Sequence, residues 1–153
     1  MKDNFNDEFF LKGENGHLHL KIMNVYNFPD KTCYWGGYDT NSIIEINSSN
    51  YSVRGYVSIS TGEIYNFYVK FKDCYEKLAG EAYLRSYEQN LELKVVFDGF
   101  GHAKIQGRFK ENHSLNNILE FTILTDQTYL KQTLISLEAI HDKFGDDLGI
   151  PKK

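Results

Sequence analysis

Cysteine and proline are scarce in this chain, at two of each among 153 residues, and long apolar runs are absent. Cys33 and Cys74 lie far apart and outside any CxxC spacing, which points to reduced thiols in a cytoplasmic protein. No window approaches the roughly 20 apolar residues of a membrane span. Met1 to Leu11 carries three acids and no apolar stretch long enough for a signal peptide. An excess of positive charge is lacking too, the formal net charge being −4. Residues 1–60 hold five basic and seven acidic side chains, residues 61–111 eight of each, and residues 112–153 four basic and six acidic. Two of those last four bases are Lys152 and Lys153, so Glu138, Asp142, Asp146 and Asp147 leave the C-terminal helix and its exit locally acidic. Such a surface repels phosphate backbones, which counts against direct nucleic-acid binding, and attracts a basic protein partner. An ordinary solvated helix face has the same composition.

What is plentiful is Tyr and Phe, 11 of each, which favour strands. No repeat, low-complexity tract or linker interrupts the chain, so residues 1–153 read as a single domain. Phe9 to Lys12 and His17 to Met23 flank the turn GENG, and Leu18, Leu20 and Ile22 alternate with His17, His19 and Lys21. An irregular stretch, NVYNFPDKTCYWGGYDTN, precedes strands near Ile43 to Asn47 and Ser52 to Ile59. Ser60 and Glu63 have capping-box spacing, after which Ile64, Phe67, Phe71, Tyr75 and Leu78 mark a helix over about 61–79, closed by Gly80. Glu81 to Tyr87, Leu91 to Phe97, Ala103 to Phe109 and Ile118 to Leu124 are then joined so briefly that a four-strand antiparallel meander over 81–124 follows. The last strand feeds almost directly into a second amphipathic helix over about 126–144. Thr125 and Asp126 stand at its start, Leu130, Leu134, Leu137, His141 and Phe144 form its stripe, and Gly145 stops it. The fold class is α+β: a mainly antiparallel sheet with two helices packed on or beside it. The N-terminal strands either extend that sheet or form a second one.

Candidate chemistry is thin. His17 and His19 share a strand face and can offer two imidazoles to one ion, but no Cys or acidic ligand stands at a matching spacing, so no metal or cofactor is expected. Asp98 and His102 flank a turn and could do acid–base work, although Asp and Gly are also ordinary turn residues. Gly99-Phe100-Gly101 leads into a strand, whereas a phosphate cradle needs a helix N-terminus. Neither cysteine has an activating partner in its sequence context. The best candidate for recognition is Tyr34, Trp35, Tyr38 and Asp39, a Gly-broken loop holding the only Trp. A core plug from a long loop fits Trp35 equally well.

Taken in order, FFLKGENGHLHLKI, CYWGGYD, STGEIYNFYVKF, GEAYLRSYEQNLEL, VFDGFGHAKIQGRF and LEFTILTDQTYLKQTLISLEAIHDKFG run from about residue 9 to 145. This series resembles the WapI-type immunity proteins, small bacterial antidotes to polymorphic contact-dependent toxins. The resemblance implies a protein that is not an enzyme and that binds the C-terminal toxic domain, often a nuclease, of a larger secreted or surface-displayed protein. A basic nuclease face would meet Glu138, Asp142 and Asp146, with Tyr34, Trp35, Tyr38 and Asp39 as the neighbouring contacts. Two readings from other classes stand beside it: a small-ligand-binding β-rich module without catalytic activity, and a hydrolase using Asp98 and His102.

Overall fold

The N-terminal strands form a sheet of their own. In the computed structural model, which describes residues 7–151, β1 (Glu8–Gly13), β2 (Gly16–Val25), β3 (Asp39–Ser48) and β4 (Tyr51–Ser60) pair antiparallel in chain order. A second meander of β5 (Ala79–Arg85), β6 (Leu91–Asp98), β7 (His102–Phe109) and β8 (Leu119–Asp126) does the same. Helix α1 (Thr61–Lys77) links the two sheets and α2 (Gln127–Phe144) follows β8. Met1 to Asn6, where the signal-peptide reading begins, and the terminal bases Lys152 and Lys153 lie outside the described residues.

Alternation explains why the sheets face each other. Phe9, Leu11, Leu18, Leu20, Ile22, Ile44, Ile46, Val57 and Ile59 line the inner face of the first sheet. Ala82, Leu84, Leu91, Leu93, Val95, Phe97, Ala103, Ile105, Phe109, Phe121 and Ile123 line that of the second, and all of these join one core. Helix α1 reaches both walls, with Phe67 beside Phe9 at 6.3 Å and Phe71 against Phe97 at 6.0 Å between ring centroids. Where the sheets meet, polar side chains take up edge backbone groups. The Asn15 amide donates to the Thr122 carbonyl (3.0 Å) and accepts from the Leu124 N–H (2.8 Å), while the Thr125 hydroxyl donates to the Lys12 carbonyl.

Several boundaries differ from the sequence reading. The Ser60–Glu63 capping box is present, but α1 ends at Lys77, with Leu78 in the left-handed conformation (φ 58°) and Gly80 already in β5. Burial of Phe71 and Cys74 fixes where the helix must turn back, and that tertiary demand overrides the preference for glycine at the cap. Strand β3 starts at Asp39, four residues before Ile43, because β2 and β3 pair up to Val25 and Thr40. In α2 the buried positions are Leu130, Thr133, Leu137, Ile140 and Phe144, and Leu134 and His141 lie only half-buried at the stripe's edge. Thr133 is accommodated because its hydroxyl donates to the Phe10 carbonyl at 2.6 Å. No helix among the described residues is long and apolar enough to cross a membrane.

Candidate functional site

The β2–β3 connection, residues 26–38, is shaped by the start of α1. Gly62 in the first helical turn lies against the Gly36 backbone so closely that a Cβ on Gly62 would overlap it. The Tyr38 N–H donates to Thr61 Oγ1 (2.8 Å) and the Thr61 N–H donates to the Tyr38 carbonyl (2.8 Å). These contacts turn Tyr38 inward, leaving it 1% exposed, edge-on to Phe28, which is in turn edge-on to Phe144. Its hydroxyl donates to the Pro29 carbonyl (3.3 Å) and accepts from the Ile150 N–H (2.9 Å). Tyr38 is therefore no surface contact; it fastens the segment after α2 beneath the loop.

Tyr34 and Trp35 stay outside, at 90% and 47% exposure, and Trp35 does not plug the core. Trp35 instead stacks on Tyr87, with centroids 5.0 Å apart and planes 4° from parallel, and Tyr34 meets it edge-on at 4.9 Å. The Tyr87 hydroxyl donates to the Asp39 carboxylate, 3.1 Å from each oxygen, which ties the second sheet to the start of β3. Burial, with the Asp39 charge adding to it, pushes the Tyr87 phenol up to about 12, so it remains a donor at physiological pH. Glu63 lies half-buried in the same region. Burial raises its carboxyl to about 7, aided by the Asp39 charge and opposed by the hydrogen bonds from Ser60. Nothing local marks Tyr87 or Glu63 as part of this patch, because Tyr87 reads as a strand end and Glu63 as a helix cap.

The acidic candidates divide between α2 and the turn that follows it. Glu138 and Asp142 are exposed and lie near Tyr68 of α1, whose phenol is pushed up first by burial and then by those two charges. His141 packs on Tyr65 and Tyr68 at 5.2 and 5.5 Å. Asp146 is half-buried, and its carboxylate accepts from the Leu148 N–H at 2.8 Å, so part of its capacity is spent on the turn. Asp147 makes the join: its carbonyl accepts from the Gly37 N–H at 2.7 Å. The structure thus brings Tyr34, Trp35 and Asp39 together around Tyr87, with Asp146, Asp147 and the 80% exposed Leu148 on the adjoining turn. Glu138 lies about two helical turns before Asp146, beside Tyr68 of α1, and the structure does not bring it to the Trp35 group.

The other candidates are occupied in ordinary ways. Asp98 Oδ1 accepts from the Phe100 and His102 N–H groups, which hold its carboxyl below the usual range, and the His102 ring is exposed 3.7 Å from it. That is turn chemistry, although the pair borders a cavity of about 360 Å³ floored by Val96, Ala103 and Leu124. His19 pairs with Glu8 at 2.6 Å and stacks on Phe10, whereas His17 pairs with Asn47 at 3.2 Å. Among the described residues no group of three or more His, Cys, Asp or Glu side chains could hold a metal ion. Cys33 and Cys74 are free thiols that burial pushes up, away from thiolate reactivity.

The model of the immunity protein WapI-like family matches residues 9–145. A search of curated proteins returns no match. The matched span contains both sheets, both helices, the Trp35 loop and Tyr87, which is most of the chain. This protein belongs to the WapI-like immunity protein family.

Proposed function

We propose that this chain is a cytoplasmic, non-enzymatic immunity protein that binds and neutralises the C-terminal domain of a cognate contact-dependent or secreted polymorphic toxin, a nuclease. The whole chain acts as one binding unit, since both sheets and both helices contribute to one core. The observation that carries this reading is the family membership; the exposed Tyr34–Trp35–Tyr87 group beside an acidic helix end supports it. Stacked aromatics supply apolar contact at little entropic cost, and Glu138, Asp142 and Asp146 would steer a basic nuclease face toward them. Tyr38 acts from beneath by holding the loop. Nuclease domains carry basic surfaces for their phosphate substrates, which is why a carboxylate-lined protein suits them.

The test is co-production of this chain with the C-terminal domain of a candidate cognate toxin. Survival of cells that die with the toxin alone, together with co-elution of the purified pair, is the expected result. Death in both cases, or separate elution, refutes the reading. The cavity beside Asp98 and His102 keeps a small-ligand-binding module as the second reading. Under that reading a metabolite screen raises the melting temperature and the toxin domain does not.

A further inference from the structure

The chain is folded from two copies of one unit, four antiparallel strands in chain order followed at once by a helix. The buried positions of the two helices keep step. Ile64, Phe67, Phe71 and Cys74 stand four, seven, eleven and fourteen residues after the cap Ser60, and Leu130, Thr133, Leu137 and Ile140 stand at the same intervals after the cap Asp126. The cross-strand partners of the caps are Asp39 and His102, the first residues of β3 and β7. In each unit the first helical N–H donates to the carbonyl of the residue just before that strand, Thr61 to Tyr38 at 2.8 Å and Gln127 to Gly101 at 2.9 Å. Each helix also lies against the first strand of the other unit, α1 on β5 and α2 on β1. The two helix starts are therefore equivalent corners.

Their side chains differ. At the start of α1 the β5–β6 turn of the other unit brings in Tyr87. Its ring stacks on Trp35, and its hydroxyl meets Asp39 and Ser58, the residue two before the cap. At the start of α2 the visiting turn is β1–β2. The Glu14 N–H donates to the carbonyl of Leu124, again two before the cap, at 2.7 Å, but Glu14 is exposed and the turn contributes no ring. The cavity of about 360 Å³ lies at this corner, bordered by Glu14, His102 and Leu124, which correspond to the Tyr87 turn, Asp39 and Ser58. Val96 and Ala103 complete its apolar floor, and Asp98 stands at its rim. Asp98 Oδ1 accepts from two turn N–H groups, whereas Oδ2 makes no hydrogen bond among the described residues and lies 3.7 Å from His102 Nδ1.

We infer that this cavity seats a tyrosine side chain of the protein's partner, in the place that Tyr87 fills at the other corner. The ring rests on Val96, Ala103 and Leu124, and the phenol donates to Asp98 Oδ2 as Tyr87 donates to Asp39. The floor is open, since Leu124 stays 45% exposed, so the occupant needs a larger body to keep water from its outer side. Charge separates a partner from a second copy. Tyr34, which a second copy would offer at 90% exposure, stands in an acidic corner with Asp39, Asp146 and Asp147, and the cavity's carboxylates Glu14 and Asp98 outnumber Lys104. Like charges oppose that pairing and favour a basic partner. That the partner is a toxin rests on the immunity reading above, under which the cavity belongs to the protein contact and not to a metabolite.

Leu124→Trp fills the cavity from an exposed position, and Thr122→Trp, two residues away on the same exposed face of β8, controls for added bulk. Titrated with the C-terminal domain of a candidate cognate toxin, L124W should bind about tenfold more weakly than T122W, at matching melting temperatures. In the wild-type complex, NOEs should connect the Leu124 methyl groups to tyrosine ring protons of the toxin domain. Free p-cresol, added to the chain alone, should shift those methyl resonances only at about millimolar concentration. Equal binding by L124W and T122W, or a complex without those NOEs, overturns the site while leaving the immunity reading intact. Saturation by p-cresol at about micromolar concentration overturns the protein occupant in favour of a free phenol. Failure of the wild-type chain to bind the toxin at all overturns both.

Discussion

Replacing Glu63 by Gln should stabilise this protein at neutral and alkaline pH, although it removes a charge from a helix N-terminus. Gln keeps an oxygen for the Ser60 N–H, bonded at 2.9 Å, and leaves the Glu63 N–H free to bond Ser60 Oγ at 3.1 Å, so the cap survives. What changes is ionisation. Burial lifts the folded-state carboxyl from 4.5 to about 7, so the folded chain holds its proton over a range in which the unfolded chain has lost it. Stability therefore falls as pH rises from about 4.5 to 7 and levels off above. A displacement of that size corresponds to roughly 3.4 kcal/mol if fully expressed. Glu63 is only half-buried, and screening cuts this to about 1–2 kcal/mol. Loss of the favourable helix-dipole contact takes back about 0.5 kcal/mol. The net is about 1 kcal/mol, or about 2–4 °C in melting temperature for a domain of this length. Thermal unfolding of both proteins at pH 5, 6, 7 and 8 should show an advantage for E63Q that widens up to pH 7 and then stays constant. An advantage independent of pH, or a loss at pH 8, would refute a desolvated carboxylate under the Trp35 loop.

Three further outcomes follow from the proposed interface and its support. Trp35→Ala should weaken toxin binding by about 2 kcal/mol, roughly thirtyfold, with little change in melting temperature, because Trp35 is half exposed and, among the described residues, stacks on one ring outside its own loop; titration calorimetry measures this directly. Reversing Glu138 and Asp142 to Lys should slow association about tenfold at low salt and flatten its salt dependence, with dissociation little changed; stopped-flow rates identical to wild type remove that flank from the interface. Tyr38→Phe leaves the Ile150 N–H without its acceptor, a cost of about 1–3 kcal/mol confined to the segment after α2. Proteolysis at residues 145–151 should accelerate well before global unfolding, and an unchanged cleavage rate would show that Tyr38 does not hold the segment.

The parts of this molecule that were legible in its sequence are those whose causes are local. Period-two alternation located the strands, and Ser60 with Glu63 and then Asp126 marked the helix starts, because capping is decided within four residues. The division into two sheets was not legible, since alternation says which face is apolar and not which strands share a ladder. The aromatic loop divides along the same line. Tyr34, Trp35 and Tyr38 look alike in a Gly-rich stretch, and only the approach of Gly62 to Gly36 decides that Tyr38 turns in while its neighbours stay out. Tyr87 shows the limit most clearly. It follows β5 in a polar turn, yet its ring supports Trp35 and its hydroxyl holds Asp39, both on segments of the other sheet. Trp35 can present its indole to a partner only while Tyr87 holds it flat, so part of the recognition surface is built by a residue with no recognition signal of its own. Tyr87→Ala should therefore cost toxin affinity as Trp35→Ala does, and the double variant should lose much less than the sum of the two.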